Sequence, residues 1–163
     1  MKKQLGFLLS IVFVMAACGI AGDSKTESPV INVSGAFFAL SVADMNASVK
    51  WYSEKLGMKI VMQLPKHDKM AVTVLEGDGL IVELIQNDDS LPLGKVAPAL
   101  KDRVFVQGSF KTGVIVNDFD KTLSALKAHN VEIAYGPYPA RGDQRANVII
   151  KDNEGNLIQF FGK

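Results

Sequence analysis

The sequence predicts an α+β protein built from two copies of a βαβββ module, and three observations carry that reading. The run "FFALSV" (Phe37 to Val42) returns as "KTGVIV" (Lys111 to Val116), each time followed by an aspartate and a stretch of helical spacing. The strand, turn and strand of "MAVTVLEGDGLIVELIQ" from Met70 return as "RANVIIKDNEGNLIQFFG" from Arg145. Between helix and hairpin each copy has one more β-prone segment, "KIVMQL" and "VEIAYG". Strand order, helix start, helix stop and turn agree independently, which makes the repeat the most specific feature of the chain.

The elements follow in order. The start, "MKKQLGFLLSIVFVMAACG", has two lysines and then an apolar run ending near Ala17. That run is too short for a hydrocarbon core, which needs roughly 20 apolar residues. It reads as a signal peptide over 1–17. Residues 18–34 are small and polar with one proline and read as a flexible tether. The folded domain is expected over 35–163, with module one at 35–86, a linker at 87–110 and module two at 111–163.

Each module opens on an apolar, β-compatible strand. Asp44 and Asp118 then stand where a helix N-cap belongs, each carboxylate able to accept from an unpaired amide of the first turn. Met45, Val49, Tyr52 and Leu56 mark the buried face of the first helix, and Phe119, Leu123 and Leu126 that of the second. Gly57 and Asn130 end the helices, being residue types that tolerate a left-handed conformation. A Gly-Asp or Asn-Gly turn between apolar runs then predicts a hairpin in each copy. Trp51 and Tyr52 are adjacent on the first helix and are expected to pack against the sheet.

Composition sets further bounds. A chain near 150 residues buries roughly 70% of its unfolded surface, so one domain with a sizeable core is expected. With 18 Lys+Arg against 17 Asp+Glu there is no basic excess, and no nucleic-acid partner is expected. The single cysteine, Cys18, excludes an intramolecular disulfide. The two histidines, His67 and His129, fall in a turn-like segment and at a helix end, where neither predicts a metal ligand. No serine or cysteine has a histidine partner in sequence context, and there is no phosphate-binding glycine loop.

Two resemblances follow from these residues. "VMAAC" resembles the lipobox of bacterial lipoproteins, which implies lipidation at Cys18 and a membrane anchor. Gly19, where an aspartate would imply inner-membrane retention, points to the outer membrane facing the periplasm. "VADMNASVKWYSEKLGM" and "DNEGNLIQFFG", set in two βαβββ modules, resemble the vicinal oxygen chelate superfamily of glyoxalases, bleomycin-resistance proteins and extradiol dioxygenases. That resemblance covers essentially all of 35–163. It implies a curved, incomplete eight-stranded barrel around a cleft in which a divalent metal chelates two substrate oxygens, and it leaves a homodimer open.

The family's four metal-ligand positions fall on Phe37, Glu83, Lys111 and Gln159. Only Glu83 is a good ligand for a divalent cation, so no cofactor is expected at these positions, although a divalent metal is the group the family would supply. An ion pair between Glu83 and Lys111 is expected instead, with Tyr135, Tyr138, Arg141 and Arg145 of "YGPYPARGDQR" as candidate ligand contacts. The linker is long for a connection, and its "VAPALKDR" is expected to form a short helix. Three functions fit: a metal-independent module binding a small molecule; a lyase or dioxygenase-type enzyme with Glu83 as general base and Lys111 polarising a carbonyl; and a partner-binding lipoprotein whose cleft is filled by Phe37.

Overall fold

A computed structural model describes residues 36–163 except 102, 103 and 105. The expected signal peptide, the lipobox with Cys18 and the tether lie outside the described residues.

Module one runs β1 (Phe37–Val42), α1 (Met45–Leu56), β2 (Lys59–His67), β3 (Met70–Gly77) and β4 (Leu80–Asn87). A short helix α2 (Leu93–Val96) follows in the linker. Module two runs β5 (Thr112–Val116), α3 (Phe119–Ala128), β6 (Glu132–Tyr138), β7 (Asn147–Lys151) and β8 (Leu157–Gly162). The strands form two four-stranded sheets of identical order, β1-β4-β3-β2 and β5-β8-β7-β6. In each, the first strand runs parallel to the last and the other pairings are antiparallel. The doubled pattern in the sequence is thus a doubled topology.

The helix signals act as expected. Asp44 Oδ1 accepts from Ala47 N at 3.0 Å and Asp118 Oδ1 from Lys121 N at 2.9 Å. Gly57 has φ 69° and Asn130 φ 51°, the left-handed conformation that stops each helix. The β3–β4 turn places Asp78 at φ 50° and Gly79 at φ 80°, both positive as a two-residue hairpin turn requires. At Gly77 a side chain would stand only 3.3 Å from Met58 Cγ, so glycine lets the segment after α1 lie against the hairpin.

Each sheet turns one face to its helix, and those faces make a single core. Val42, Leu75, Val82 and Leu84 of the first sheet cluster with Val148, Ile150, Ile158 and Phe160 of the second. Tyr52, Met58, Leu126 and Val131 fill the space between. Period-two alternation is visible in β4, where Val82 and Leu84 are fully buried while Glu83 between them is only partly so.

The modules are held together on one side by polar contacts from the β7–β8 turn to α1. Tyr52 Oη donates to Asp152 Oδ2 at 2.9 Å, Asn153 Nδ2 donates to Ser48 Oγ at 3.0 Å, and Glu154 Oε1 accepts from Ala43 N at 3.1 Å. Burial, and then the adjacent Asp152 carboxylate, push the Tyr52 phenol well above its usual range. At the helix ends Lys55 Nζ donates to the His129 carbonyl at 2.7 Å, and His129 Nδ1 donates to the Glu54 carbonyl at 2.9 Å. His129 is therefore a helix-end fastener, as its position in the sequence suggests.

Two expectations need correction here. The short linker helix lies at Leu93–Val96, so it ends on the first residue of "VAPALKDR". Pro92 supplies its N-cap, and Pro98 disfavours helical geometry at Ala97, which sits at φ −134°, ψ 71°. Lys111 lies just before β5, not in the strand.

Candidate functional site

The face of each sheet turned away from its helix carries the residues singled out in the sequence. On module one, register puts Glu83 between Ala39 of β1 and Val74 of β3. Its neighbours along the strand on that face are Ile81 and Ile85. Phe37 pairs with Ile81 and is 65% exposed, so it stands off the sheet and fills nothing. The result is an apolar platform with one carboxylate near its centre.

On module two, Gln159 of β8 lies between Gly113 of β5 and Ile149 of β7. It is 6% exposed, and its Nε2 donates to Asn147 Oδ1 at 2.9 Å. Asn147 Nδ2 in turn donates to the Arg145 carbonyl at 3.2 Å, so a line of amides runs from β8 to the loop before β7. Tyr135 pairs with Ile149 and Tyr138 with Asn147. Both tyrosines therefore share the face of Gln159, with 44% and 49% of their surface exposed. Asn147 went unnoticed in the sequence because an isolated asparagine at a strand start carries no motif. Its signal was positional: two residues before Ile149, it must share the face that presents Gln159.

Arg141 and Arg145 are exposed beside this face. Arg141 and Gln144 exchange backbone hydrogen bonds at 3.0 and 2.9 Å, which closes the loop tightly between β6 and β7. The structure thus brings Tyr135, Tyr138, Asn147 and Gln159 together on one sheet face, with the arginines at its end.

The ion pair expected between Glu83 and Lys111 does not form within the described residues. Lys111 is exposed, and its Nζ lies 6.0 Å from the centroid of the Phe110 ring, at the outer reach of a cation–π contact. The reason is its place: one residue before β5, it is not held by a strand register that would aim it at Glu83. Replacing Lys111 by Met is accordingly expected to change the unfolding free energy by less than about 0.5 kcal/mol, as at ordinary surface sites. A thermal melt checks this, and a large fall would restore the pair.

A cleft of about 900 Å³ opens at the ends of β1 and β4. Ser41, Gln86 and Asn87 line it from the strands, Leu91 and Leu93 from the linker, and Glu154 from the β7–β8 turn. Ser41 belongs to the same face as Glu83 and Phe37, but neither of those two lines the cleft. Among the described residues no three His, Cys, Asp or Glu side chains gather in a group that could hold a metal ion.

Comparison with known proteins agrees with this architecture. A probable chloroplastic lactoylglutathione lyase of Arabidopsis thaliana is 24% identical over 127 residues, 74% of this chain. The chain spans only 33% of that relative's length. A glyoxylase/bleomycin resistance protein/dioxygenase domain from Frankia sp. EAN1pec superposes with a TM-score of 0.61 at 17% identity, covering 81% of this chain and 97% of its own. TnmS3, an antibiotic binding protein from Streptomyces sp. CB03234, superposes with a TM-score of 0.55 at 17% identity, covering 82% and 97%. The sequence profile that matches spans residues 36–160, both modules from β1 into β8, and its description is the Glyoxalase/Bleomycin resistance protein/Dioxygenase superfamily. This chain belongs to that superfamily.

Proposed function

We propose that the chain is a metal-independent module that binds a small molecule on its open sheet faces, anchored through a lipid on Cys18 to the outer membrane and facing the periplasm. The observation that carries the reading is the chemistry at the four family ligand positions. Phe37 has no side-chain donor atom, Lys111 brings an ammonium, and Gln159, whose Nε2 donates to Asn147, offers only a neutral amide oxygen. Glu83 alone offers an anionic oxygen, and one carboxylate does not make a divalent site. The divalent metal typical of the family therefore does not fit these residues. Apolar surface with a few fixed polar groups, which these faces present, is the usual make-up of a small-molecule site. TnmS3, described as an antibiotic binding protein, is a precedent on the same fold.

A homodimer would cover the apolar side chains left open on the strands. Phe37, Met62 and Leu64 on module one and Ile115 on module two are each more than 40% exposed. Sedimentation of the chain as isolated from cells tests that assembly.

Glu83 favours a second reading. A carboxylate among aliphatics, paired with no cation among the described residues, is placed to accept a proton next to a carbonyl, so lyase or dioxygenase-type chemistry is the alternative. Metal analysis of protein purified without chelator, run with equilibrium dialysis against planar aromatic small molecules and turnover of a hemithioacetal and catechol panel, separates the readings. The binding module predicts no stoichiometric metal, no turnover, and affinity that falls about threefold to tenfold in Tyr138→Ala. Stoichiometric metal lost in Glu83→Ala, or turnover lost in Glu83→Gln, would overturn it.

A further inference from the structure

The doubled topology creates two equivalent seams where one module's hairpin turn meets the other module's helix. In the first, the five-residue turn Asp152 to Asn156 packs on the start of α1, and Ser48 and Tyr52 hold it. Counting from the capping aspartates, Ser48 corresponds to Thr122 and Tyr52 to Leu126. The second seam should therefore seat the β3–β4 turn on α3. That turn has only Asp78 and Gly79 between the strands, and the large hydroxyl-bearing ring is replaced by an aliphatic side chain. Thr122 Oγ1 is turned back to its own helix, donating to the Asp118 carbonyl at 2.7 Å.

What remains at the second seam is a cleft of about 500 Å³. Its floor is apolar, formed by Leu56, Met58, Leu80, Val114, Leu126 and Phe160. Its rim carries Lys121, whose Nζ has no hydrogen bond or ion pair to a described residue, together with Lys55, Asp78 and Asp118. Asp118 Oδ1 is occupied in capping α3, whereas Asp78, at a left-handed position of the β3–β4 turn, leaves a carboxylate on the rim that the two lysines offset. The volume lies within the range of about 300–1,000 Å³ typical of small-ligand sites.

We infer that this inter-module cleft is a second binding site, separate from the sheet faces, for a small amphipathic monocarboxylate whose apolar body fills the seam and whose anionic end meets Lys121. In the first seam protein side chains supply both the filling and the polar fastening. In the second, the ligand takes the place of the missing ring and the shortened turn. A bound amphiphile would accordingly add a contact between the two modules beside the Lys55–His129 hydrogen bond.

Decanoate, below its micelle concentration, is the probe, and calorimetric titration into the chain as isolated from cells is the measurement. One decanoate is expected to bind per chain. Ala125 is exposed and lines the cleft, so Ala125→Trp should block it and weaken binding at least tenfold while the melting temperature without decanoate stays at the wild-type value. Lys121→Glu should weaken decanoate severalfold and leave decanol unaffected, and Lys121→Arg should retain decanoate binding. Failure to bind decanoate, equal binding by Ala125→Trp, or loss of binding in Ile85→Trp on the sheet face with Ala125→Trp unaffected would each overturn the assignment. Equal decanoate affinity in Lys121→Glu would overturn the carboxylate class.

Discussion

Replacing Asp152 by Ala is expected to lower the unfolding free energy by about 3–5 kcal/mol, the range for removing one partner from a buried charged network. The carboxylate is 4% exposed and accepts from Tyr52 Oη at 2.9 Å, Glu154 N at 2.9 Å, Asn156 N at 2.7 Å and Asn156 Nδ2 at 2.9 Å. Alanine removes the acceptor of all four hydrogen bonds, and the one from Tyr52 is buried where water has little access to replace it. The melting temperature should fall by about 10 °C or more. Tyr52→Phe removes only one donor and should cost about 1–2 kcal/mol. If the Asp152→Ala melt matches the wild type, the turn is not what holds module two to α1.

The same contact gives a signature in alkali. In the unfolded chain a tyrosine ionises near pH 10, whereas the buried Tyr52 beside Asp152 stays protonated well above that. For an acid whose folded pKa is raised, the stabilisation is constant below the unfolded pKa in the sense that neither state ionises. Above it the unfolded state releases a proton that the folded state retains. Stability therefore falls as pH rises past about 10, by roughly 1.4 kcal/mol per pH unit from this group. Denaturant titrations between neutral and alkaline pH should show that component in the wild type and its absence in Tyr52→Phe.

Leu84→Ala and Glu83→Leu, one step apart on β4, should have opposite outcomes. Leu84 is fully buried against the helix side, and truncating it is expected to cost about 2–5 kcal/mol through lost burial and the cavity left behind. Glu83 lies on the other face between Ile81 and Ile85, with no cation of the described residues paired to it. Leucine there removes a lone carboxylate from apolar surroundings and should leave stability unchanged or raised. Equal destabilisation by both would mean that Glu83 has a structural partner, and a loss from Glu83→Leu alone would reverse the two faces.

The sequence was most informative where a local physical rule had to be obeyed. Asp44, Asp118, Gly57 and Asn130 could be read as helix starts and stops because caps and left-handed stops restrict residue type regardless of what packs nearby. The hairpins and the face of Glu83 followed for the same reason, since alternation along a strand is fixed by its geometry. Contacts between distant segments were not legible. Nothing local to Tyr52 announces that Asp152 will accept its hydrogen bond, and nothing local to Lys111 announces that it will stop one residue short of a strand and miss Glu83. Asn147 was hidden because an isolated asparagine carries no motif, and the second seam because it depends on how long one turn is relative to its counterpart.

The Tyr52–Asp152 contact also sets an order of events during synthesis. Its two ends are 100 residues apart, so α1 emerges and can form its own turns long before the group that receives the tyrosine hydroxyl exists. Until the last hairpin is made, the first half of the chain must keep that hydroxyl in water or bury it unanswered. The N-terminal half is therefore unfinished until the C-terminal one arrives, and the duplicated halves, alike as they are in plan, complete their structure as one unit.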